Sequence, residues 1–251
     1  YREEICKLWF IKYVLDGCNG HYLIIATTRP ETIFGDVAVA VNPNDIRYKK
    51  YVGKYVLVPI LNTKIPVIAD FAVDSSFGSG CLKVTPAHDF LDFEIGKRHS
   101  LPIIKIFNKK LHLNEKVPKS FRCLNKDVAR GKVVLFLREN DLLIKEEVYK
   151  KKIAYGDRTN SHIEPYLTNQ WFVRMNSLIK FADCAINKNS MFIPKKWNFI
   201  FFTWLKNARD WCISRQLWWG HRIPVWYDFT KNQYCGYNKR DVTIFFNLSS
   251  S

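Results

Sequence analysis

The sequence predicts an α+β fold, in which a β-barrel-like domain is followed by a mainly helical segment rich in aromatic side chains. Short β-type runs punctuated by Gly and Pro recur through residues 8–107. Lys and Arg become dense between residues 105 and 152, and Trp and Phe become frequent from residue 155 onward. With 251 residues, 47% of them hydrophobic, the chain can bury a sizeable core. We predict two domains, 1–155 and 156–251.

The first β-type runs, residues 8–15 and 22–27, are rich in β-branched and aromatic side chains. Between them lies a turn signal, Asp16, Gly17, Asn19 and Gly20. This arrangement predicts a β-hairpin. Further short strands are expected at 55–60, 65–69, 81–84 and 101–107.

Helices are predicted where a capping signal or an apolar spacing is present. Thr28, Pro30 and Glu31 match a capping box, which places a helix start at that point. Residues 89–99 are typical of a short helix with acids in its first turn, and residues 133–143 of an amphipathic helix. Farther along, large apolar residues recur at steps of four and three, which predicts one helix face formed by Trp197, Phe201, Trp204, Ala208 and Trp211.

The charge balance favours a polyanionic partner. The chain has 39 Lys and Arg against 23 Asp and Glu, a net charge of +16. An excess of this size creates a positive field that attracts nucleic acid. A genome that encodes lysine-rich proteins in general would give the same net charge without any nucleic-acid partner. Charge alone leaves both interpretations open.

The cysteines and the hydropathy exclude several classes of protein. The seven cysteines are scattered and form no CxxC pair, so neither a zinc ribbon nor a disulfide framework is expected. No apolar run is long enough to cross a membrane, and no signal-peptide pattern is present. We expect a soluble, cytoplasmic, monomeric protein with no membrane partner and no metal at its site. Because the chain begins at Tyr1 in sequence of structured character, we also expect a segment of a longer protein.

The first group of candidate site residues follows the predicted hairpin and comprises Thr27, Thr28, Arg29 and Asp36. Hydroxyls, the free N–H groups of a helix start and a cation at one corner can hold an ester or a ribose. In the alternative interpretation, Thr28 only caps the helix and Arg29 pairs with a neighbouring acid. The residues themselves are compatible with both.

The second group follows a glycine turn that begins at Phe77. Lys83 and Thr85 are two residues apart on a predicted strand and should point to the same face. Asp89 and Asp92 share one side of the next helix, so four polar groups can converge. In the alternative interpretation, the acids only complement the helix dipole and Lys83 is a solvated strand residue. Spacing does not decide between the two.

Two segments, TTRPET at 27–32 and FGSGCLKVTPAHDFLDFEIGKRHSLP at 77–102, resemble the editing domain of class I valyl-tRNA synthetases. The leucyl pattern usually has an apolar residue in place of Lys83, and the isoleucyl pattern departs at the TTRP run. The runs at 164–167, 170–173 and 210–224 resemble the valyl sequence resuming after the editing insertion. The loop after Arg158 is shorter than the family pattern, so no contact of the family's loop is carried over to this chain.

The resemblance implies hydrolysis of threonyl-tRNA(Val) to threonine and free tRNA, by attack of water on the ester at the terminal ribose. The partner is then the acceptor end of tRNA(Val). Editing needs no cofactor, whereas the parent enzyme uses ATP and magnesium for aminoacylation. No HIGH-like or KMSKS-like signature occurs in the 251 residues, so we do not expect this chain to form the aminoacyl-adenylate.

The site residues that the resemblance implies fall into two sets. The catalytic set is Lys83, Thr85, Asp89 and Asp92. The substrate-binding set is Thr27, Thr28, Arg29, Asp36, Phe77 and His88. Phosphate contacts to the tRNA acceptor end are expected from Lys105, Lys109, Lys110, Lys116, Lys119, Arg122 and Lys126.

Within these sets, the resemblance implies that Phe77 stacks on the terminal adenine and that Lys83 stabilises negative charge on the ester oxygen. Asp89 and Asp92 hold the ammonium and hydroxyl of the amino acid, with Asp92 favoured over Asp89 for orienting water. His88 is an alternative base that lacks a clear orienting partner in the sequence. Which group positions the water stays open.

Two other functions compete with this interpretation. The first is an editing domain of a sibling leucyl or isoleucyl enzyme, against which Lys83 argues. The second is a non-catalytic tRNA-binding module that kept the fold and the basic face. The joint presence of Thr28, Lys83, Thr85 and the two acids Asp89 and Asp92 counts against a purely binding role.

Overall fold

A computed structural model describes residues 1–18, 20–189 and 192–246 of the chain. The chain separates into two compact units, 1–167 and 168–251. The functional division at 155/156 stays a prediction. Asn19, part of the predicted hairpin turn, lies outside the described residues.

The first sheet of the first unit confirms the predicted hairpin. β1 (Arg2–Val14) pairs antiparallel with β2 (Tyr22–Thr27), with Trp9 opposite Thr27. On its other side β1 pairs antiparallel with β7 (Leu143–Ile153) along ten residue pairs, with an irregularity after Phe10. The sheet therefore has the order β2-β1-β7.

The second sheet contains β4 (Tyr55–Leu57), β5 (Lys64–Ala69), β3 (Ala38–Val41) and β6 (Cys81–Val84) in that order. β3 and β5 run parallel and the other pairs are antiparallel. Among the described residues, one isolated bridge, Leu15 to Val56, joins the two sheets. The predicted barrel-like closure is therefore wrong for the described strands, which form two open sheets in a mixed α/β unit.

The helices of the first unit match the prediction in one case and shift in another. α1 (Phe90–Arg98) lies within the predicted 89–99. α2 (Lys126–Glu139) begins seven residues earlier than the predicted 133–143, because the Asn125 side chain caps it by accepting from Asp127 N–H. Short 3₁₀ turns cover Pro30–Gly35, Lys49–Tyr51 and Lys119–Phe121.

The core of the first unit joins β1, β2 and the second sheet to α2. Tyr13, Ile11, Leu23 and Ile25 are each less than 2% exposed, and the apolar face of α2 adds Leu137. Burial of a large aliphatic side chain of this kind stabilises the fold by about 1.5–3 kcal/mol. The core fixes the strands that carry the cavity described below.

Residues 101–107, predicted as a strand, are irregular apart from one bridge between Phe107 and Leu113. The reason is that Ile106 N–H donates to the His88 ring and not to a neighbouring strand. In exchange, Asn114 N–H donates to the carbonyl of Ile106. Apolar composition here predicted burial correctly, since Ile106 is fully buried, but not the hydrogen bonding.

The second unit contains three helices, α3 (Met175–Asn189), α4 (Lys196–Lys206) and α5 (Lys239–Phe245), within its described residues. Two short antiparallel pairs accompany them, β8 (Phe172–Val173) with β9 (Trp211–Cys212) and β10 (Val225–Tyr227) with β11 (Gln233–Cys235).

The single helix face predicted through Trp211 is wrong. α4 ends at Lys206, and Trp211 pairs in a strand with Val173. In the aromatic run at 211–224, Trp218 and Trp219 are fully exposed in this chain. No described helix has the length and apolarity needed to cross a membrane.

Candidate active site

A cavity of about 330 Å³ lies in the first unit, at the lower end of the size range of ligand sites. It is bordered by the end of β2, the 3₁₀ turn Pro30–Gly35, β6, the start of α1 and β7. The structure brings nine of the ten predicted site residues to its wall, namely Thr27, Thr28, Arg29, Phe77, Lys83, Thr85, His88, Asp89 and Asp92. The tenth, Asp36, is bonded to two of these nine.

Lys83 is the centre of a buried hydrogen-bond network. Its Nζ donates to Asp36 Oδ1 at 2.8 Å, to Thr85 Oγ1 at 2.7 Å and to Thr32 Oγ1 at 2.6 Å. The Lys83 side chain is 7% exposed and that of Asp36 is fully buried. The predicted common face of Lys83 and Thr85 is confirmed by this contact. An ion pair at this depth is costly to break, because the remaining charge would be left without a partner.

The direction of these hydrogen bonds fixes what the network offers to a ligand. Thr85 Oγ1 donates to Asp36 Oδ1 at 2.7 Å, and Thr32 Oγ1 donates to the backbone carbonyl of Arg29 at 2.9 Å. Because each hydroxyl donates its one proton within the protein and already accepts from Lys83, it can offer the cavity only its remaining lone pair. The site therefore favours a ligand that brings hydrogen-bond donors.

Asp92 supplies a carboxyl group to the same cavity. It is 5% exposed and its Oδ2 accepts from Thr85 N–H at 2.8 Å. Burial raises the pKa of Asp92 to about 7, with the charge of Asp89 adding to the rise, while Lys83 opposes it. Among the residues the structure describes, no donor is bonded to Oδ1. A carboxyl with a pKa near neutrality is suited to taking up and returning a proton.

Asp89 plays a different part, because it is exposed and caps α1. Its Oδ1 accepts from Leu91 N–H at 2.8 Å and from Asp92 N–H at 3.4 Å. The alternative interpretation, in which Asp89 only complements the helix dipole, is thus met in part, yet Asp89 also lines the cavity. The two acids differ in burial, which the sequence did not indicate.

His88 is held as a neutral ring. Its Nε2 accepts from the backbone N–H of Ile106 at 3.1 Å, and the ring packs edge-on against Phe107. Burial, with the charges of Arg29 and Lys83, lowers the pKa of His88 to about 3. The nitrogen that would act as a base is already occupied, so this geometry does not favour His88 as the base.

Arg29 lines the cavity with a guanidinium group that has protein partners. It donates to the carbonyl of His88 at 2.9 Å and to Glu164 Oε2 at 2.6 Å. Glu164 also accepts from Lys126 Nζ at 2.6 Å. Burial opposes ionisation of Glu164, but these cations outweigh it and lower its pKa. Arg29 therefore forms part of the cavity wall, and its contact with substrate stays a prediction.

The capping box predicted at Thr28 is not formed. Arg29 occupies the cap position without a side-chain bond, and Thr28 Oγ1 accepts from Lys151 Nζ at 3.3 Å. Glu31, the other half of the expected box, is fully buried and accepts two 2.8 Å bonds from Arg130. Long-range partners therefore replaced the local ones that the sequence pattern suggested.

The entrance of the cavity has an aromatic pair. Phe77 is 42% exposed, and its ring lies edge-on at 5.5 Å from that of Tyr149 on β7. The turn after Phe77 approaches β2 closely, since a Cβ at Gly78 would lie 2.5 Å from the Cβ of Ala26 and its φ is +58°. Only glycine allows that approach.

Several residues at or behind the site were not predicted. They are Tyr13, Thr32, Tyr149, Lys151 and Glu164. Thr32 ends the TTRPET run, three residues after Arg29, so the motif itself could have indicated it as a site residue. Tyr149 and Lys151 lie on β7 in a stretch interpreted only as basic surface, and no local pattern pointed them toward β2.

The surface residues expected to contact phosphate divide into free and engaged side chains. Lys109, Lys110, Lys116 and Lys119 are exposed. Lys126 is ion-paired with Glu164, and the Nε of Arg122 donates to a backbone carbonyl at 3.0 Å. Within the described residues, no group of three or more His, Cys, Asp or Glu side chains is arranged to hold a metal ion.

Sequence comparison identifies the family of this chain. The family model for tRNA synthetases class I (I, L, M and V) matches residues 18–245, and the chain belongs to this family. Within it, the chain is similar to valine--tRNA ligases, which confirms the resemblance drawn from the two motifs.

The valine--tRNA ligase of Coxiella burnetii is 51% identical over 243 residues, covering 96% of this chain and 26% of that protein. The enzyme of Legionella pneumophila (strain Paris) is 49% identical over 242 residues, with 96% and 26% covered. That of Blochmanniella pennsylvanica is 46% identical over 260 residues, with 95% and 27% covered. The chain thus spans about a quarter of the length of the curated relatives it matches.

A solved LeuRS-tRNA-LeuAMS ternary complex of Agrobacterium radiobacter K84 matches with a TM-score of 0.46 and 15% identity. The match covers 59% of this chain and 20% of that chain. A likeness at this level carries no argument about the function of the cavity.

Proposed function

We propose that this chain is the editing segment of a valine--tRNA ligase and that its cavity hydrolyses threonyl-tRNA(Val). The products are threonine and free tRNA. The similarity to valine--tRNA ligases along 96% of the chain supports the parent enzyme. The local chemistry of the cavity supports the reaction.

The observation that carries the proposal is the combination of Asp92 with the acceptor-only hydroxyls of Thr32 and Thr85 in one small cavity. An aminoacyl ester brings a positively charged ammonium group, and threonine adds a hydroxyl donor. Carboxylate oxygens and hydroxyl lone pairs are the partners that such donors need. The cavity is thus complementary to threonine in charge and in hydrogen-bond direction.

The reaction that these residues support is general base hydrolysis. Asp92 takes a proton from water while the water oxygen bonds to the carbonyl carbon of the ester. The tetrahedral intermediate then expels the ribose oxygen, which receives the proton from Asp92, and the carbon–oxygen bond to the ribose breaks. Lys83, held beside Thr85, lowers the energy of the negative charge that develops in the cavity.

Discrimination against valine follows from the same hydrogen bonds. Valine has a methyl group where threonine has its hydroxyl, and a methyl group leaves a buried acceptor without a donor. An unpaired buried polar group costs about 1–3 kcal/mol. A pocket made for valine cannot firmly reject the nearly isosteric threonine, so a second site that requires the hydroxyl restores fidelity.

The entrance of the cavity is suited to the terminal adenosine. Phe77 and Tyr149 offer aromatic faces and edges to an unpaired base, an interaction that tolerates solvent exposure. Lys151, 3.3 Å from Thr28, is placed to meet a phosphate or a ribose oxygen. The exposed Lys109, Lys110, Lys116 and Lys119 extend a positive surface for the acceptor stem.

The test is release of threonine from pre-formed threonyl-tRNA(Val) by the naturally expressed protein that contains this chain, with valyl-tRNA(Val) as the matched substrate. We expect fast hydrolysis of the threonyl ester and sparing of the valyl ester. Equal hydrolysis of both esters would contradict the specificity. Binding of the tRNA without hydrolysis would favour the non-catalytic module, and preference for a mischarged tRNA(Ile) or tRNA(Leu) would favour a sibling enzyme.

A further inference from the structure

Tyr13 is a fully buried residue of β1 that no sequence motif singles out. Its hydroxyl donates to Asp36 Oδ2 at 2.6 Å. Tyr13 does not line the cavity, so it touches no ligand there. Burial, together with the adjacent Asp36 carboxylate, raises the pKa of Tyr13 well above its ordinary value, so the hydroxyl stays a donor.

Asp36 is thereby held at both of its oxygens. Oδ2 accepts from Tyr13, while Oδ1 accepts from Lys83 at 2.8 Å and from Thr85 at 2.7 Å. A carboxylate bonded at one oxygen can rotate about its last side-chain bond. A bond at the second oxygen opposes that rotation, so Oδ1 is kept toward the cavity residues.

We infer that Tyr13 is a positioning residue of the site, which acts through Asp36 to hold the Lys83 ammonium and to turn the Thr85 hydroxyl proton away from the ligand. The inference deepens the proposed editing function and rests on it for its kinetic consequence. Its structural consequence, the restraint on Lys83, does not depend on which substrate the cavity takes.

The experiment compares Tyr13→Phe with Tyr48→Phe in the naturally expressed protein. Tyr48 donates a bond of similar length, 2.7 Å to the carbonyl of Ser79, and packs against the same core, so its substitution reports the general effect of removing a tyrosine hydroxyl. We expect Tyr13→Phe to lower kcat for threonyl-tRNA deacylation about tenfold with KM within about twofold, because an acceptor beside Lys83 loses its donor. Tyr48→Phe should stay within about twofold of the original kcat.

A double-mutant cycle separates positioning from stability. If Tyr13 acts through Asp36, then Tyr13→Phe adds nothing in an Asp36→Asn background, where the carboxylate is already absent. A full tenfold loss on top of Asp36→Asn would overturn the inference. So would a wild-type kcat in Tyr13→Phe, or an equal loss in Tyr48→Phe.

If the unmodified protein does not hydrolyse threonyl-tRNA, the proposed function is contradicted but the positioning role of Tyr13 is not. A chemical measurement tests the role of Tyr13 in that case. Reductive methylation of Lys83, by formaldehyde with cyanoborohydride as the hydride donor, is followed by mass spectrometry of its peptide. Tyr13→Phe should label at least about threefold faster than the unmodified protein and Tyr48→Phe, because a loosened ammonium group reacts more readily. Equal labelling rates in all three proteins would overturn the role of Tyr13.

Discussion

The cavity has two regions that are held in different ways. Its floor, which we define as Thr32, Asp36, Lys83, Thr85 and Asp92, is buried and bonded throughout. Its rim, which we define as Thr28, Phe77, Asp89, Tyr149 and Lys151, is partly or fully exposed. Groups fixed before the substrate arrives stabilise developing charge without reorganisation. Exposed groups adapt to a ligand, so changes in the floor should affect catalysis and changes in the rim should affect binding.

The largest effect is expected from the floor cation. Lys83→Met leaves the buried Asp36 without its counterion and should lower the free energy of unfolding by about 3–5 kcal/mol. Deacylation should fall at least about 100-fold. The matched control is Lys7→Met, whose ion pair with Glu146 at 2.9 Å is similar in length but 62% exposed on the lysine side. That change should cost below about 1 kcal/mol in urea unfolding; equal costs would erase the distinction between buried and exposed pairs.

The two acids of α1 provide the sharpest contrast between floor and rim. Asp92→Asn keeps an oxygen that can accept from Thr85 N–H, so folding should persist while kcat falls about 100-fold. Asp89→Asn keeps the helix cap, because Asn caps as well as Asp, and should mainly raise KM by a few fold. Steady-state deacylation separates the two. A larger kcat loss in Asp89→Asn would reverse their roles.

The free energy of unfolding should depend on pH through the titration of Asp92, a floor residue. Because Asp92 in the folded protein has a pKa of about 7, the native state keeps a proton that the unfolded chain releases above about pH 4. The free energy of unfolding should therefore fall as pH rises from about 4 to about 7, by on the order of 4 kcal/mol from this group. Denaturant unfolding at several pH values should show this component in the unmodified protein. Its persistence in Asp92→Asn would assign it to another group.

A smaller effect is expected at the rim. Phe77→Ala removes a stacking surface at the entrance, and base–aromatic stacking contributes about 1–3 kcal/mol per base. KM for threonyl-tRNA should rise about tenfold with kcat nearly unchanged. Phe71→Ala is the control, since Phe71 is 76% exposed and does not line the cavity. A fall in kcat without a change in KM would show that Phe77 acts in the chemical step and not in binding.

Three floor residues, Lys83, Thr85 and Asp92, could be brought together from the sequence because they lie within ten residues of one another. The period of two along a strand placed Lys83 and Thr85 on one face, and the helix start placed Asp89 and Asp92 one turn apart. Local patterns also predicted the hairpin and α1. These features depend on interactions within a few residues, which a sequence pattern records.

The parts that could not be predicted depend on distant partners. Glu31 was expected to cap its own turn, but Arg130, 99 residues away, takes both of its oxygens. The strand β7 was missed because its two runs of three charged residues leave no regular alternation of apolar side chains, yet it pairs with β1 along most of its length. Tyr13 looked like any core residue of β1, and only the fold placed its hydroxyl against Asp36.

Glu164 binds Arg29 at the cavity wall and Lys126 at the start of α2. The chain between β7 and Glu164 closes as a small turn, in which Gly156 N–H donates to the carbonyl of Ser161. Both ion pairs of Glu164 lie outside this turn, so a change in the length of the turn should leave the carboxylate bound to Arg29 and Lys126.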